Sequence, residues 1–198
     1  MEVKRFILGP IETNTYLLID GKDALLIDPA SKAEKLIDIL GDLNLVGILL
    51  THGHFDHIKA VDGLYEKYQC PVYLHEDDEY LARDKYAGKY FGLVSYISCP
   101  TVKTKEGINK INNFEFEIIN TPGHTKGSVI YVFDDCIFTG DTLFKNSVGR
   151  TDLDGGNQRD LNSSLRIFKE FNKDYLIYPG HEDTTTLNQE LINNPYLI

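Results

Sequence analysis

Within the six residues His52 to His57 the chain places three imidazoles and a carboxylate, in the stretch Thr51-His52-Gly53-His54-Phe55-Asp56-His57. A solvated loop has no need of three histidines so close together. The stretch follows a nearly all-apolar run, Leu45 to Leu50, the mark of a strand buried on both faces. Three further apolar runs end in a similar way. Phe114–Ile119 leads to Thr121-Pro122-Gly123-His124, Ile137–Phe138 to Thr139-Gly140-Asp141, and Tyr175–Tyr178 to Pro179-Gly180-His181. Each time a strand stops, a glycine permits a sharp or close-packed turn, and a residue able to ligate a metal follows. If these strands share one sheet edge, their side chains converge on one crevice.

Convergent imidazoles and carboxylates select a borderline transition metal such as zinc, iron, manganese, cobalt or nickel; magnesium and calcium prefer oxygen ligands alone. The seven candidates, His52, His54, Asp56, His57, His124, Asp141 and His181, are too many for one tetrahedral ion. They suit two ions roughly 3.5–4 Å apart with one carboxylate between them. Such a pair lowers the pKa of a bound water towards ~7 and polarises a carbonyl or phosphoryl oxygen, so no serine or cysteine nucleophile is required. The sixth histidine, His75, stands apart and reads as an ordinary polar residue.

The remaining composition narrows the partners. A chain of 198 residues, 42% hydrophobic and 25% charged, is an ordinary globular one. It can bury roughly 70% of its unfolded surface without disulfides. The net charge of −10, from 20 Lys+Arg against 30 Asp+Glu, repels phosphate backbones and anionic lipid and argues against nucleic-acid or membrane partners. No stretch approaches 18 apolar residues. Lys4-Arg5 could open a leader, but the apolar run Phe6–Leu8 is cut by Gly9-Pro10. Cys70, Cys99 and Cys136 are odd in number and lack C-x-x-C spacing, which fits a reducing cytoplasm.

The periodicity predicts strands at Thr15–Ile19 and Ala24–Ile27 joined by the turn Asp20-Gly21-Lys22-Asp23. A helix follows, with Ser31 and Glu34 as a capping box and Ala33, Leu36, Ile37 and Leu40 on one face. Ile58, Val61, Leu64, Tyr65 and Tyr68 follow helical spacing, as do Leu161, Leu165, Phe168 and Phe171; Leu187 and Leu191 suggest a last short helix. Val72–Leu74, Phe114–Ile119, Val129–Phe133, Ile137–Thr139 and Tyr175–Tyr178 complete the strands. Without strict βαβ alternation or an internal repeat, the expected product is a layered α/β domain with helices outside the sheet.

These residues resemble a family. The stretch His52 to His57 matches the H-x-H-x-D-H signature of the metallo-β-lactamase superfamily, and His124, Asp141 and His181 match its later ligand motifs in order. The resemblance implies an α/β fold of four layers, an αβ/βα sandwich, and a single such domain over residues 1–198. It implies one metal site from His52, His54 and His124, and a second from Asp56, His57 and His181. Asp141 and a hydroxide would lie between them. Two divalent ions are expected, zinc foremost, with iron or manganese as alternatives.

Gly140-Asp141-Thr142-Leu143-Phe144 and Gly149-Arg150-Thr151-Asp152 resemble the glyoxalase II-like branch, whose members hydrolyse thioesters such as hydroxyacyl-glutathione. Leu187–Ile198 holds no Lys or Arg, so the C-terminal helical domain that contacts glutathione in that branch is not carried over. The commonest true β-lactamases carry Cys where Asp141 stands, which disfavours that activity. The persulfide dioxygenases also show a G-R-T-D segment and would use His52, His124 and Asp141 for one iron. The expected chemistry is thus hydrolysis of a small-molecule thioester by a metal-bound hydroxide that Asp56 aligns, with the dioxygenase, another ester or lactone hydrolase, or a metal-binding module without turnover as alternatives. Asp28 is expected to orient an imidazole. Thr125 is read as bonding only backbone. Arg150 either holds its loop through Asp152 or meets an anionic substrate, and Lys126 and Lys145 are the basic residues nearest the ligands in sequence. The aromatic stretch Tyr80–Pro100, with Tyr86, Tyr90, Phe91 and Tyr96, could wall a pocket, meet a second subunit or pack on the domain.

Overall fold

Side-chain alternation along the strands decides the layering in the computed structural model, which describes residues 1–89 and 92–198. The hairpin of β2 (Thr13–Asp20) and β3 (Asp23–Ile27) turns at Gly21-Lys22. In β3, Ala24 and Leu26 enter one core while Leu25 and Ile27 enter another. In β4 (Asn44–Leu49), Leu45 and Ile48 face the first core and Leu49 the second. A sheet apolar on both faces has to be covered on both. Leu36 and Leu40 of α1 (Ala33–Leu40) and Val61 and Leu64 of α3 (Val61–Tyr68) cover one side. A second sheet covers the other.

The first sheet runs β1 (Glu2–Leu8), β2, β3, β4, β5 (Val72–Leu74), β6 (Val102–Lys103). It is antiparallel up to β3 and parallel from β3 to β6. Parallel neighbours need long crossovers; α1 supplies one, and α2 (Phe55–Ile58) with α3 supplies the next. The second sheet runs β14 (Thr185–Thr186), β13 (Leu176–Pro179), β10 (Cys136–Gly140), β9 (Val129–Val132), β8 (Phe114–Asn120), β7 (Gly107–Ile111). Its outer face packs on α5 (Gln158–Ser164), the 3-10 turn Leu165–Lys169 and α6 (Leu187–Asn193), through Leu161, Leu165, Phe168 and Leu187. The result is the four-layer αβ/βα sandwich. Among the described residues, no helix is long and apolar enough to cross a membrane.

Between the sheets the core is aromatic. Phe138 stacks on Tyr178 at 5.0 Å and meets Tyr16 edge-on at 5.1 Å. The Tyr16 hydroxyl donates to the Pro179 carbonyl at 2.6 Å, so one ring from the first sheet is pinned to the strand that leads to His181.

The structure departs from the sequence expectations in four places. No capping box forms at Ser31 and Glu34: Lys32 takes a left-handed conformation at the N-cap of α1, with no side-chain cap. The late helix tightens into a 3-10 turn at Leu165. Three crossovers, two of them through α1 and through α2 with α3, make the β3–β6 part of the first sheet parallel. Finally, Glu2–Leu8, for which the periodicity predicts no element, is an edge strand, and β7 is another; both alternate weakly between half-buried and exposed positions. Phe138→Ala removes a fully buried ring from between the sheets. It should lower unfolding free energy by about 3–5 kcal/mol in urea titrations; a loss under about 1 kcal/mol would contradict this packing.

Candidate metal centre

The four strand ends do not share one sheet edge, as the sequence suggested. β4 belongs to the first sheet and β8, β10 and β13 to the second, so the crevice lies between facing sheets. Main-chain bonds stitch the two together at that end. Val129 N–H donates to Thr51 O at 2.9 Å and Asn14 N–H to Gly180 O at 2.7 Å, while within the second sheet Gly180 N–H donates to Gly140 O at 2.8 Å. Gly180 has to be glycine, because a Cβ there would collide with Asp141 Oδ1 and stand 2.8 Å from the His57 ring.

All seven candidate side chains meet in this crevice. His54 Nδ1 and His124 Nε2 face each other at 2.9 Å. The His52 ring lies 4.8 Å from that of His54 and 4.9 Å from that of His124. His181 Nε2 is 3.3 Å and His57 Nε2 3.5 Å from Asp56 Oδ2. Asp141 stands among them, with Oδ2 3.4 Å from His124 Nε2 and 3.5 Å from His181 Nε2, and Oδ1 3.4 Å from His57 Nε2. Two ligand-like triplets result, His52/His54/His124 and Asp56/His57/His181; Asp28, His52 and His57 form a third close group.

The electrostatics mark the crevice as a place for positive charge. Burial, helped by the nearby His124 ring, holds His54 down to about 3, so the ring is neutral at pH 7 and offers a nitrogen lone pair. Burial likewise pushes His52 well down. For His57 burial acts the same way, yet Asp141, Asp56 and Asp28 together outweigh it and lift the ring to about 10. His181 is also raised, burial being overcome by Asp56 and Asp141. Asp56 is held well below the usual carboxylate range, because His57 and His181 outweigh its burial. His52 Nε2, His57 Nε2 and Asp141 Oδ1 are buried without a hydrogen-bond partner among the described residues. Such orphaned atoms are costly to bury, and a bound cation would satisfy them. The donor set is nitrogen and carboxylate oxygen, which fits a borderline transition-metal cation.

Neighbouring groups orient these side chains. Asp28 accepts from His57 Nδ1 at 3.0 Å, from Thr51 N–H at 2.8 Å and from the Thr51 hydroxyl at 2.6 Å. The first bond turns His57 Nε2 toward the crevice. Asp28 does this from a left-handed backbone conformation, φ 48°, unusual for a non-glycine residue. His124 Nδ1 donates to the Arg150 carbonyl at 2.7 Å. The Arg150 guanidinium is exposed and binds Asp152 through two bonds, so the residue holds its own loop. Lys145 is exposed in the turn between β11 (Leu143–Phe144) and β12 (Ser147–Val148), beside Phe144, whose ring meets His181 edge-on at 5.9 Å. His75 accepts from Asp77 N–H at the start of a 3-10 turn, away from the crevice.

Three contributors were not anticipated. Thr13 donates its hydroxyl to Asp56 Oδ2 at 3.0 Å. Thr51 lies 3.1 Å from His52 Nδ1. Thr125 bonds Asp78 at 2.7 Å, which corrects the expectation that it bonds only backbone. In the aromatic stretch, Tyr90 and Phe91 lie outside the described residues. Tyr80, Tyr86 and Tyr96 are exposed, while Ile97 and Cys99 reach the core. The Ser95 hydroxyl donates to Phe55 O, between His54 and Asp56, at 2.5 Å.

Two outcomes follow. Asp28→Ala should cut metal affinity about 10–100-fold by freeing the His57 ring, read by competition with a chromophoric chelator; unchanged affinity would contradict the orienting role. Since His57 is lifted to about 10, both its ring nitrogens carry protons at pH 7, and a cation must displace one. Calorimetric heats of metal binding should then vary with buffer ionisation enthalpy; heats independent of buffer would contradict the charge assignment.

Comparison with known proteins agrees with this geometry. Residues 8–181 match the family described as the metallo-beta-lactamase superfamily. Hydroxyacylglutathione hydrolase GloC of Haemophilus influenzae is 36% identical over 188 residues, covering 90% of this chain and 89% of its own. The crystal structure of the BLEG-1 B3 metallo-beta-lactamase is similar with a TM-score of 0.92 and 38% identity, covering 99% of both chains. That of TTHA1623 in a di-iron-bound form gives 0.91 and 36%, covering 98% of this chain and 100% of the other. The chain belongs to the metallo-beta-lactamase superfamily.

Proposed function

We propose that this protein is a metal-dependent hydrolase that cleaves a small thioester of the hydroxyacylglutathione type. The observation that carries the reading is the buried cluster of imidazoles and carboxylates whose His52 and His57 Nε2 and Asp141 Oδ1 atoms make no hydrogen bond among the described residues. His52, His54 and His124 would hold one cation and Asp56, His57 and His181 a second, with Asp141 between them. The di-iron form of TTHA1623 supports two ions, and the likeness to GloC supports the thioester. Bound cations of this kind supply an acidified water and a Lewis acid for a developing oxyanion.

The chain's own groups do the rest. Asp56, held ionised by His57 and His181, accepts a hydrogen bond from the attacking water and sets its direction, while Thr13 fixes the carboxylate. Asp28 and the Arg150 carbonyl lock the tautomers of His57 and His124. Lys145 offers positive charge to an anionic substrate in an otherwise acidic protein. A cysteine nucleophile is a poor competitor: burial pushes Cys70 up to about 11, and Cys99 and Cys136 up to about 12.

Protein purified without added metal should carry two cations per chain and hydrolyse S-lactoylglutathione. Asp56→Ala should lower kcat by about 10²–10⁴-fold with the fold intact by circular dichroism. One iron per chain with oxygen uptake on glutathione persulfide would replace this reading with a dioxygenase. Cleavage of a β-lactam but not of the thioester would replace it with a lactamase.

A further inference from the structure

One buried charge has no part in the chemistry above. Asp78 is fully buried, in the 3-10 turn Glu76–Asp78 between β5 and α4 (Glu79–Arg83). Its carboxylate is met by donors from two loops. Gly53 N–H reaches Oδ2 at 2.8 Å, the Thr125 hydroxyl reaches Oδ2 at 2.7 Å, and Gly127 N–H reaches Oδ1 at 2.7 Å. Gly53 sits between His52 and His54, after β4 of the first sheet. Thr125 and Gly127 follow His124, after β8 of the second. The approach is close enough that a Cβ at Gly127 would lie 2.8 Å from Asp78 Cγ.

We infer that Asp78 is a positioning residue for the metal centre: by tying these two loops to one carboxylate, it sets His54 and His124 at their separation across the two sheets. This rests on the metal-dependent reading above. Asp28 and Thr13 hold His57 and Asp56, and Asp28 also reaches His52 through Thr51, whereas the bonds of Asp78 fall next to His54 and His124, so its effect concentrates on the His52/His54/His124 group. The carboxylate cannot be replaced by its neutral isostere. Both oxygens accept from main-chain N–H groups, so an asparagine turned either way points its NH₂ at the N–H of Gly53 or of Gly127.

The test titrates Zn²⁺ into metal-free, full-length protein against a chromophoric chelator at pH 7, for wild type, Asp78→Asn, Asp78→Ala, Thr125→Val and Thr125→Ser. Metal-free melting temperatures are recorded alongside. Wild type should take two equivalents. In both Asp78 variants one equivalent should weaken by about tenfold or more while the other keeps its affinity. Thr125→Val should weaken the same equivalent, and Thr125→Ser, which keeps the hydroxyl, should restore it. That pair decides the matter if the Asp78 variants fail to fold. A fall in metal-free melting temperature with both affinities unchanged, or both weakened alike, would overturn the inference and leave Asp78 a support of the fold. Wild-type protein that takes up no Zn²⁺ would sink the metal reading itself, and this inference with it.

Discussion

The architecture depends on a polar cluster that cannot satisfy itself. Where the two sheets of the sandwich approach each other at one end, five imidazoles and two carboxylates crowd into a space from which water is largely removed, with His57 fully buried and Asp141 only 9% exposed. Buried charge is tolerated when it is paired or coordinates a metal. Here the pairing is incomplete: Nε2 of His52 and His57 and Oδ1 of Asp141 have no hydrogen-bond partner among the described residues, although His57 Nε2 and Asp141 Oδ1 lie 3.4 Å apart. The same strand ends that could have been sealed by apolar side chains carry ligand-type groups, and the surrounding core holds them there.

That holding is visible in where the strain and the hydrogen bonds fall. Asp28 keeps a left-handed backbone at the end of a buried strand, a conformation that persists when its surroundings over-determine it and that clusters at functional sites. Its carboxylate is saturated by Thr51 and His57. Asp78 plays the matching part on the opposite flank, and Gly180 gives Asp141 the room it occupies. Below this layer, Tyr16, Phe138 and Tyr178 form the aromatic base that fixes one sheet on the other. A site built on strand ends backed by such packing moves little, and little movement is what ligand geometry requires.

The site was more legible in the sequence than the fold that makes it. The His- and Asp-bearing segments at four strand ends marked the seven side chains that meet in the crevice, four of them directly after a glycine, because no competing structural role explains them together. The two-faced apolar strands announced a layered α/β domain. Their assignment to two sheets was not legible, since a strand buried on both faces reads the same in either. Edge strands β1 and β7 were missed because one side of each is wet and their alternation is weak. Asp78 was hidden in the acidic run Glu76-Asp77-Asp78-Glu79, where a buried carboxylate looks like its exposed neighbours. The partner of His124 is the main-chain carbonyl of Arg150, which no side-chain identity could signal.

Anomalous scattering from crystals grown without added metal tests the two-cation claim most directly. Two peaks are expected, roughly 3.5–4 Å apart, one against His52, His54 and His124, the other against Asp56, His57 and His181, with Asp141 touching both. A single peak, or an Asp141 carboxylate turned out of the crevice, would contradict it.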